Sequence, residues 1–244
     1  MGTWTWFHKL SSPPHFYRIA GKMIPWFAVP AALLIGAGLY GGLVLAPPDY
    51  QQGDAFRIIY LHVPSAILSM LCYTTLAVAA AVGLIWRIKL AHALAAASAP
   101  IGASFALLAL VTGSLWGKPM WGTYWTWDAR LTSELILFFL YLGYMALRSA
   151  FDDLTRADRA SAVLALVGVV NVPIIHFSVK WWNSLHQGST LMTKGAMPMS
   201  MKAPLLMCLA GFMLLYGALA CVRVRAEVLI RERNATWLKE LKSA

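Results

Sequence analysis

The run Trp116-Gly-Lys-Pro-Met-Trp121-Gly-Thr-Tyr-Trp125-Thr-Trp127-Asp128-Ala-Arg130 packs four tryptophans into twelve residues and closes on an acid and a base. Indoles at this density have two uses. At a membrane edge they form a belt, with rings at headgroup depth and N–H groups toward water. They also make a platform of flat apolar faces for a large flat ligand. Gly117 and Gly122 would then permit close backbone approach, and Arg130 or Lys118 would be available to the ligand's carboxylates. A belt does not call for Gly, Pro and an Asp–Arg pair in the same loop, so the platform is the sharper expectation.

Histidine supplies the metal chemistry that such a platform lacks. Of the six histidines, His8, His15 and His92 fall among basic residues and read as solvated surface. His62 lies in Tyr60-Leu-His62-Val-Pro64, and His186 in Trp181-Trp182-Asn183-Ser-Leu-His186-Gln187-Gly188. One histidine at a membrane edge is commonly a hydrogen-bonded structural residue. Two that flank an aromatic platform suit axial ligation of haem iron by imidazole. His176, in Pro173-Ile-Ile-His176-Phe, competes as second ligand because an ionisable side chain within a membrane span is a candidate by default. It also follows Asn171 and Pro173, where an imidazole can bond a freed carbonyl. Glu134 sits one turn past Arg130, and an i,i+4 ion pair accounts for it. Cys72, Cys208 and Cys221 are scattered through apolar runs and make neither a disulfide framework nor a zinc spacing.

These residues need a scaffold, and composition names it. The 244 residues are 59% hydrophobic and 12% charged, with a mean hydropathy of +0.64, which marks an integral membrane protein. A bilayer-spanning helix needs about 20 mostly apolar residues. Runs of that kind occur near 24–46, 59–86, 94–116, 131–147, 161–182 and 203–222. The expected fold is therefore all-α, a polytopic membrane protein with six transmembrane helices. The residues before the first run are polar and aromatic, with Lys9, Arg18 and Lys22 spread among them, so no cleaved signal peptide is expected.

The formal charge of +10 follows membrane topology rather than a polyanion site. The segments before span one, after span two, after span four and after span six hold fourteen of the 20 Lys and Arg residues. That bias puts both termini in the cytoplasm. Three segments then face outward: Pro47 to Arg57, Gly117 to Arg130, and roughly Lys180 to Lys202. Function is expected there. No phosphate-binding glycine loop occurs, so this chain is not expected to hydrolyse ATP. Neither an internal repeat nor a second domain is visible. Residues 1–244 read as a single six-helix domain, with a tryptophan-rich loop at about 117–130 on the outward side.

The loop Trp121-Gly-Thr-Tyr-Trp125-Thr-Trp127-Asp128 resembles the W-G-x-x-W-x-W-D core of the tryptophan-rich, or WWD, haem-handling family. The likeness extends through Tyr60-Leu-His62-Val-Pro64, Gly117-Lys-Pro-Met-Trp121, Trp127-Asp128-Ala-Arg130-Leu-Thr-Ser133-Glu134 and Trp181-Trp182-Asn183-Ser-Leu-His186-Gln187-Gly188-Ser189. Within that family the chain is most similar to the CcmC branch of the bacterial cytochrome c maturation system. The resemblance implies a haem export and transfer component of the bacterial inner membrane. It would bind haem b at the periplasmic face through His62 and His186, and deliver it to the periplasmic carrier CcmE for c-type cytochrome biogenesis. The small subunit CcmD and the ABC transporter components CcmA and CcmB are the implied partners. In that picture Trp116, Trp121, Trp125 and Trp127 cover the porphyrin. Arg130, with Arg57 and Lys118, neutralises propionates, and Asp128 orients the loop. No side chain is assigned a catalytic role, so the protein is not expected to be an enzyme. The alternative from another class is a bis-histidine b-type haem quinol oxidoreductase. Against it, ligands for stacked haems in both leaflets are missing. A haem permease would need a polar, glycine-rich path through the inner leaflet.

Overall fold

The computed structural model describes residues 12–186 and 197–243, with side chains as far as Lys239. His8, Lys194 and the Gln187-Gly188-Ser189 end of the last motif lie outside the described residues. Apart from an isolated bridge between Asp49 and Gly53, the regular structure among the described residues is helical. α1 spans Pro13–Tyr40 and runs on through a π-helical turn, Gly41–Leu45. A 3-10 turn, Asp54–Ile58, leads into α2, Ile59–Trp86. Then follow α3 (Lys89–Trp121), α4 (Ala129–Ser149), α5 (Leu154–Gly168), α6 (Asn171–Trp181), α7 (Met199–Arg231) and the short α8 (Thr236–Ser243). Six helical segments are long and apolar enough to cross a membrane, α5 and α6 counting as one. The protein is a multi-pass membrane protein.

The helices outrun their apolar windows. α1 starts at Pro13 because Pro13 and Pro14 occupy the first helical positions, where a missing N–H breaks no intrahelical bond. α3 has 33 residues, about 50 Å at 1.5 Å per residue, so its ends protrude from a hydrocarbon core of about 30 Å. This changes the tryptophan segment. The stretch from Gly117 to Trp121, expected as loop, is the last part of α3, which ends only at Gly122 with φ 77°. A glycine there permits the left-handed turn that stops the helix. The fifth span departs from expectation in the other direction. It breaks between Gly168 and Asn171, because Pro173 has no N–H for the carbonyl of Val169 and its ring crowds that carbonyl. The Asn171 side chain donates to the Ser133 carbonyl at 2.8 Å and ties the break to α4.

Between helices in lipid there is little hydrophobic drive, so close packing of small residues carries association. α3 turns a buried face of alanines, including Ala95, Ala99 and Ala106, toward Leu68, Tyr73 and Leu76 of α2 and toward Leu137 and Tyr141 of α4. Gly102 leaves room for the Tyr141 ring, whose hydroxyl donates to the Ser69 carbonyl at 2.7 Å. α1 and α7 pack antiparallel: Gly21 faces Arg225, while Gly38 faces Cys208. Tyr17 accordingly meets Trp237 of α8, so both described ends of the chain lie at one end of the bundle. That end also holds a buried ionic cluster. Arg231 donates twice to Asp158, at 2.6 and 2.8 Å, and Arg148 pairs with Glu227 at 2.7 Å.

Candidate functional site

At the opposite end an open cleft lies between the ends of α2, α3 and α4, with His186 closing one side. It is built from the chain upward. Past the π-helical turn, Gly53 at φ 57° lets the chain fold back on itself. The Asp49 carboxylate accepts from the backbone N–H groups of Gln51 and Gln52, both at 2.9 Å. Gln52, so held, accepts the indole N–H of Trp116 at 2.9 Å. Trp116 stands edge-on to His62, with ring centroids 5.6 Å apart.

His62 lies in the first turns of α2 and is buried. Its Nδ1 is 3.1 Å from the Ala109 carbonyl oxygen and 3.0 Å from Thr112 Oγ1. A carbonyl only accepts, so Nδ1 carries the proton and donates, and the lone pair is left on Nε2. Thr112 can accept because its own hydroxyl proton goes to the Leu108 carbonyl, at 2.6 Å. The missing side chain of Gly113 also matters: a Cβ there would come to 3.0 Å from the His62 ring.

His186 enters from the segment after α6. Its ring centroid is 6.2 Å from that of His62 and 6.1 Å from that of Trp121. The backbone N–H of His186 donates to Ser184 Oγ at 3.0 Å, and the Ser184 hydroxyl donates to Asp128 at 2.6 Å. The other carboxylate oxygen of Asp128 accepts from the Leu131 N–H at 2.8 Å, capping α4. Asp128 is thus the fastener between the tryptophan segment and the histidine segment, and it does not line the cleft itself.

The structure sorts the remaining candidates. Trp116, Trp121 and Trp125 line the cleft, as do Arg130, His62 and His186. Trp127 does not: it is 78% exposed and stands edge-on to Trp125, with centroids 5.4 Å apart. Arg57 is turned to the Gly42 carbonyl, at 2.8 Å, and to Asp54. Lys118 donates to the Gly122 carbonyl at 3.0 Å and lies over the Tyr124 ring. Among the lining residues Arg130 is the basic side chain. His176 is exposed, edge-on to Phe177, and takes no part in the cleft. Glu134 departs most from expectation. The i,i+4 ion pair with Arg130 is not made, since both side chains line the cleft instead, and its Oε1 is buried without a hydrogen-bond partner.

Two imidazoles 6.2 Å apart between centroids leave space for a metal bonded to each at about 2 Å. Among the described residues, no three His, Cys, Asp or Glu side chains gather to hold a bare ion. An imidazole pair at this spacing, walled by indoles, would suit a metal that brings its own equatorial ligands in a flat macrocycle.

The model of the CcmC family, described as heme exporter protein C, matches residues 6–239. The chain belongs to this family. It is 53% identical over 238 residues to heme exporter protein C of Escherichia coli strain K12, covering 98% of this chain and 97% of that one. It is 52% identical over 240 residues to heme exporter protein C of Haemophilus influenzae, covering 98% of each. A putative cytochrome c biosynthesis ccmC-like mitochondrial protein of Marchantia polymorpha is 45% identical over 197 residues, 80% of this chain and 84% of that protein.

Residue chemistry alone passed over Gln52, Thr112, Gly113 and Ser184. Thr112 and Trp116 are one turn apart on α3, with Ala109 and Gly113 beside them. That small and hydroxyl-bearing face was the legible sign of something bulky and polar packed against it. Gln52 and Ser184 act across loops and left no such pattern.

Proposed function

We propose that this protein binds haem b at the outward end of its helix bundle and hands it to a carrier for c-type cytochrome assembly. The observation that carries the reading is the facing pair His62 and His186, with the Nδ1 of His62 committed to Ala109 and Thr112 so that Nε2 is free for iron. Trp116, Trp121 and Trp125 then cover the macrocycle and keep water from it, and Arg130 neutralises a propionate. The export named for the Escherichia coli and Haemophilus influenzae relatives agrees with a site that opens at the bundle end rather than in its interior.

The basic bias of the loops supports cytoplasmic termini, which puts the cleft at the periplasmic face of the inner membrane. The carrier is CcmE, with CcmD and the CcmA/CcmB ABC assembly as partners. No side chain in the cleft is given an acid–base or nucleophilic task, so the protein acts by positioning, not as an enzyme. Haem held by iron and propionates keeps one edge open, and Trp127, exposed beside the wall, is a contact for the incoming carrier.

The experiment is a haem stain of CcmE in membranes from cells carrying Asp128→Ala or Arg130→Ala. Carrier haem is expected to fall about tenfold or more, since ångström-scale misplacement is costly to bond formation. c-Type cytochromes should be lost while b-type cytochromes persist. Normal carrier staining with loss of quinol oxidation would favour the oxidoreductase instead.

A further inference from the structure

Glu134 is left without a task by the site so far. It projects from the second turn of α4, is 7% exposed and lines the cleft, and its Oε1 has no hydrogen-bond partner. A buried acceptor of this kind is costly to leave bare, and it persists where a ligand completes it. Ser69 of α2 lies beside the carboxyl. Ser69 is seven residues past His62, about 10 Å along the helix, so Glu134 marks the inner end of the cleft. Arg130 is one turn earlier on the same face. The walls around them, Ala66, Met70, Leu131 and Ile175, are apolar. Gln52 and Ser114 also line the cleft, but apart from the two histidines its ionisable side chains are Arg130 and Glu134, and a flat ligand centred between His62 and His186 meets them on its inner side.

We propose that Arg130 and Glu134 together form a subsite for the two carboxyl groups of a porphyrin, Arg130 by ion pair and Glu134 by a shared-proton hydrogen bond. The propionate edge then points inward and the vinyl edge toward the mouth. This rests on the haem reading and adds Glu134 as the partner of the second carboxyl group. Two bare carboxylates would repel. One proton taken up from water with the ligand turns their contact into an O–H···O⁻ hydrogen bond, which is short and strong. Without Glu134 the two imidazoles could still ligate the iron, but the rotation of the porphyrin about the iron axis would rest on Arg130 alone.

The full-length protein in detergent is titrated with iron protoporphyrin IX and with its dimethyl ester, following the Soret band. Wild type prefers the diacid. Glu134→Leu weakens the diacid about tenfold and leaves the ester unchanged, so the preference shrinks by that factor. Glu134→Gln keeps most of it, because an amide N–H still donates to a carboxylate. Loss of affinity for both porphyrins alike, or for neither, overturns the subsite. Should the leucine variant not fold, wild type loaded with haem labelled with ¹³C at the propionates gives the answer by infrared spectroscopy. One carboxyl band is displaced and moves again in Glu134→Gln, and two bands identical to those of haem in detergent overturn the proposal. Wild type that binds neither porphyrin removes the haem reading itself. Wild type that binds haem while the leucine variant keeps the diacid preference removes this subsite alone.

Discussion

The two ends of the bundle handle buried charge in opposite ways. At the end that gathers the chain termini, Arg148, Asp158, Glu227 and Arg231 come from α4, α5 and α7 and neutralise one another within 2.6–3.7 Å. At the other end Arg130 and Glu134 share a cleft without pairing, and the indole N–H of Trp125 and the hydroxyl of Thr126 are also buried without partners. In the first arrangement each charge has an opposite charge within reach, although the Nε atoms of Arg148 and Arg231 make no hydrogen bond. In the second an acid and a base line an open cleft without pairing, where a ligand can reach them. Motif-rich sequence marks the second end, whereas the first is built from charges that seemed no more than topology signals.

The sharpest way to break this comparison is to unpair the closed end. Asp158→Ala leaves Arg231 buried with its bidentate partner gone. The expected cost is about 3–5 kcal/mol of stability, the penalty for breaking a buried pair from one side. Thermal unfolding in detergent, with haem binding measured on the protein that remains folded, is the check. A variant as stable as wild type would mean that the cluster is not structural.

The next effect in size falls at the open end and should spare stability. His62→Ala and His186→Ala each remove one axial ligand, so each should convert a six-coordinate haem spectrum to a weaker or altered one, with the protein still in the membrane. His176→Ala should change nothing. A spectrum lost in His176→Ala and kept in the other two would overturn the assignment. The smallest effect tests the support behind the ligand. Thr112→Val keeps the shape of the side chain but removes an acceptor from His62 Nδ1. Haem affinity should fall about 10-fold, at the low end for such supporting bonds, because the Ala109 carbonyl still holds the ring. A loss as large as that of His62→Ala would show that Thr112 does more than orient the imidazole.

Much of this molecule is legible along the chain because hydropathy adds up residue by residue. Six apolar runs predict six spans whatever packs against them, and the Trp121-to-Asp128 motif and the two histidines can be read without a structure. The helices α1 and α3 extend beyond their apolar runs, since apolar content tracks the lipid while a helix stops only where backbone chemistry stops it, as at Gly122. Which side chains meet is another kind of question. His62 and His186 lie far apart in the chain, and only the packing of α2, α3 and α4 brings His186 across the cleft, fastened through Ser184 to Asp128. The same packing turns Arg57 to a carbonyl of the π-helical turn, leaves Trp127 outside the wall, and keeps Glu134 from the neighbour that spacing alone would assign it. Residue types and their order determine what chemistry is possible and near which end of a span. The direction of a side chain depends on the rotation of its helix against its neighbours, a property of the assembled bundle that no single segment contains.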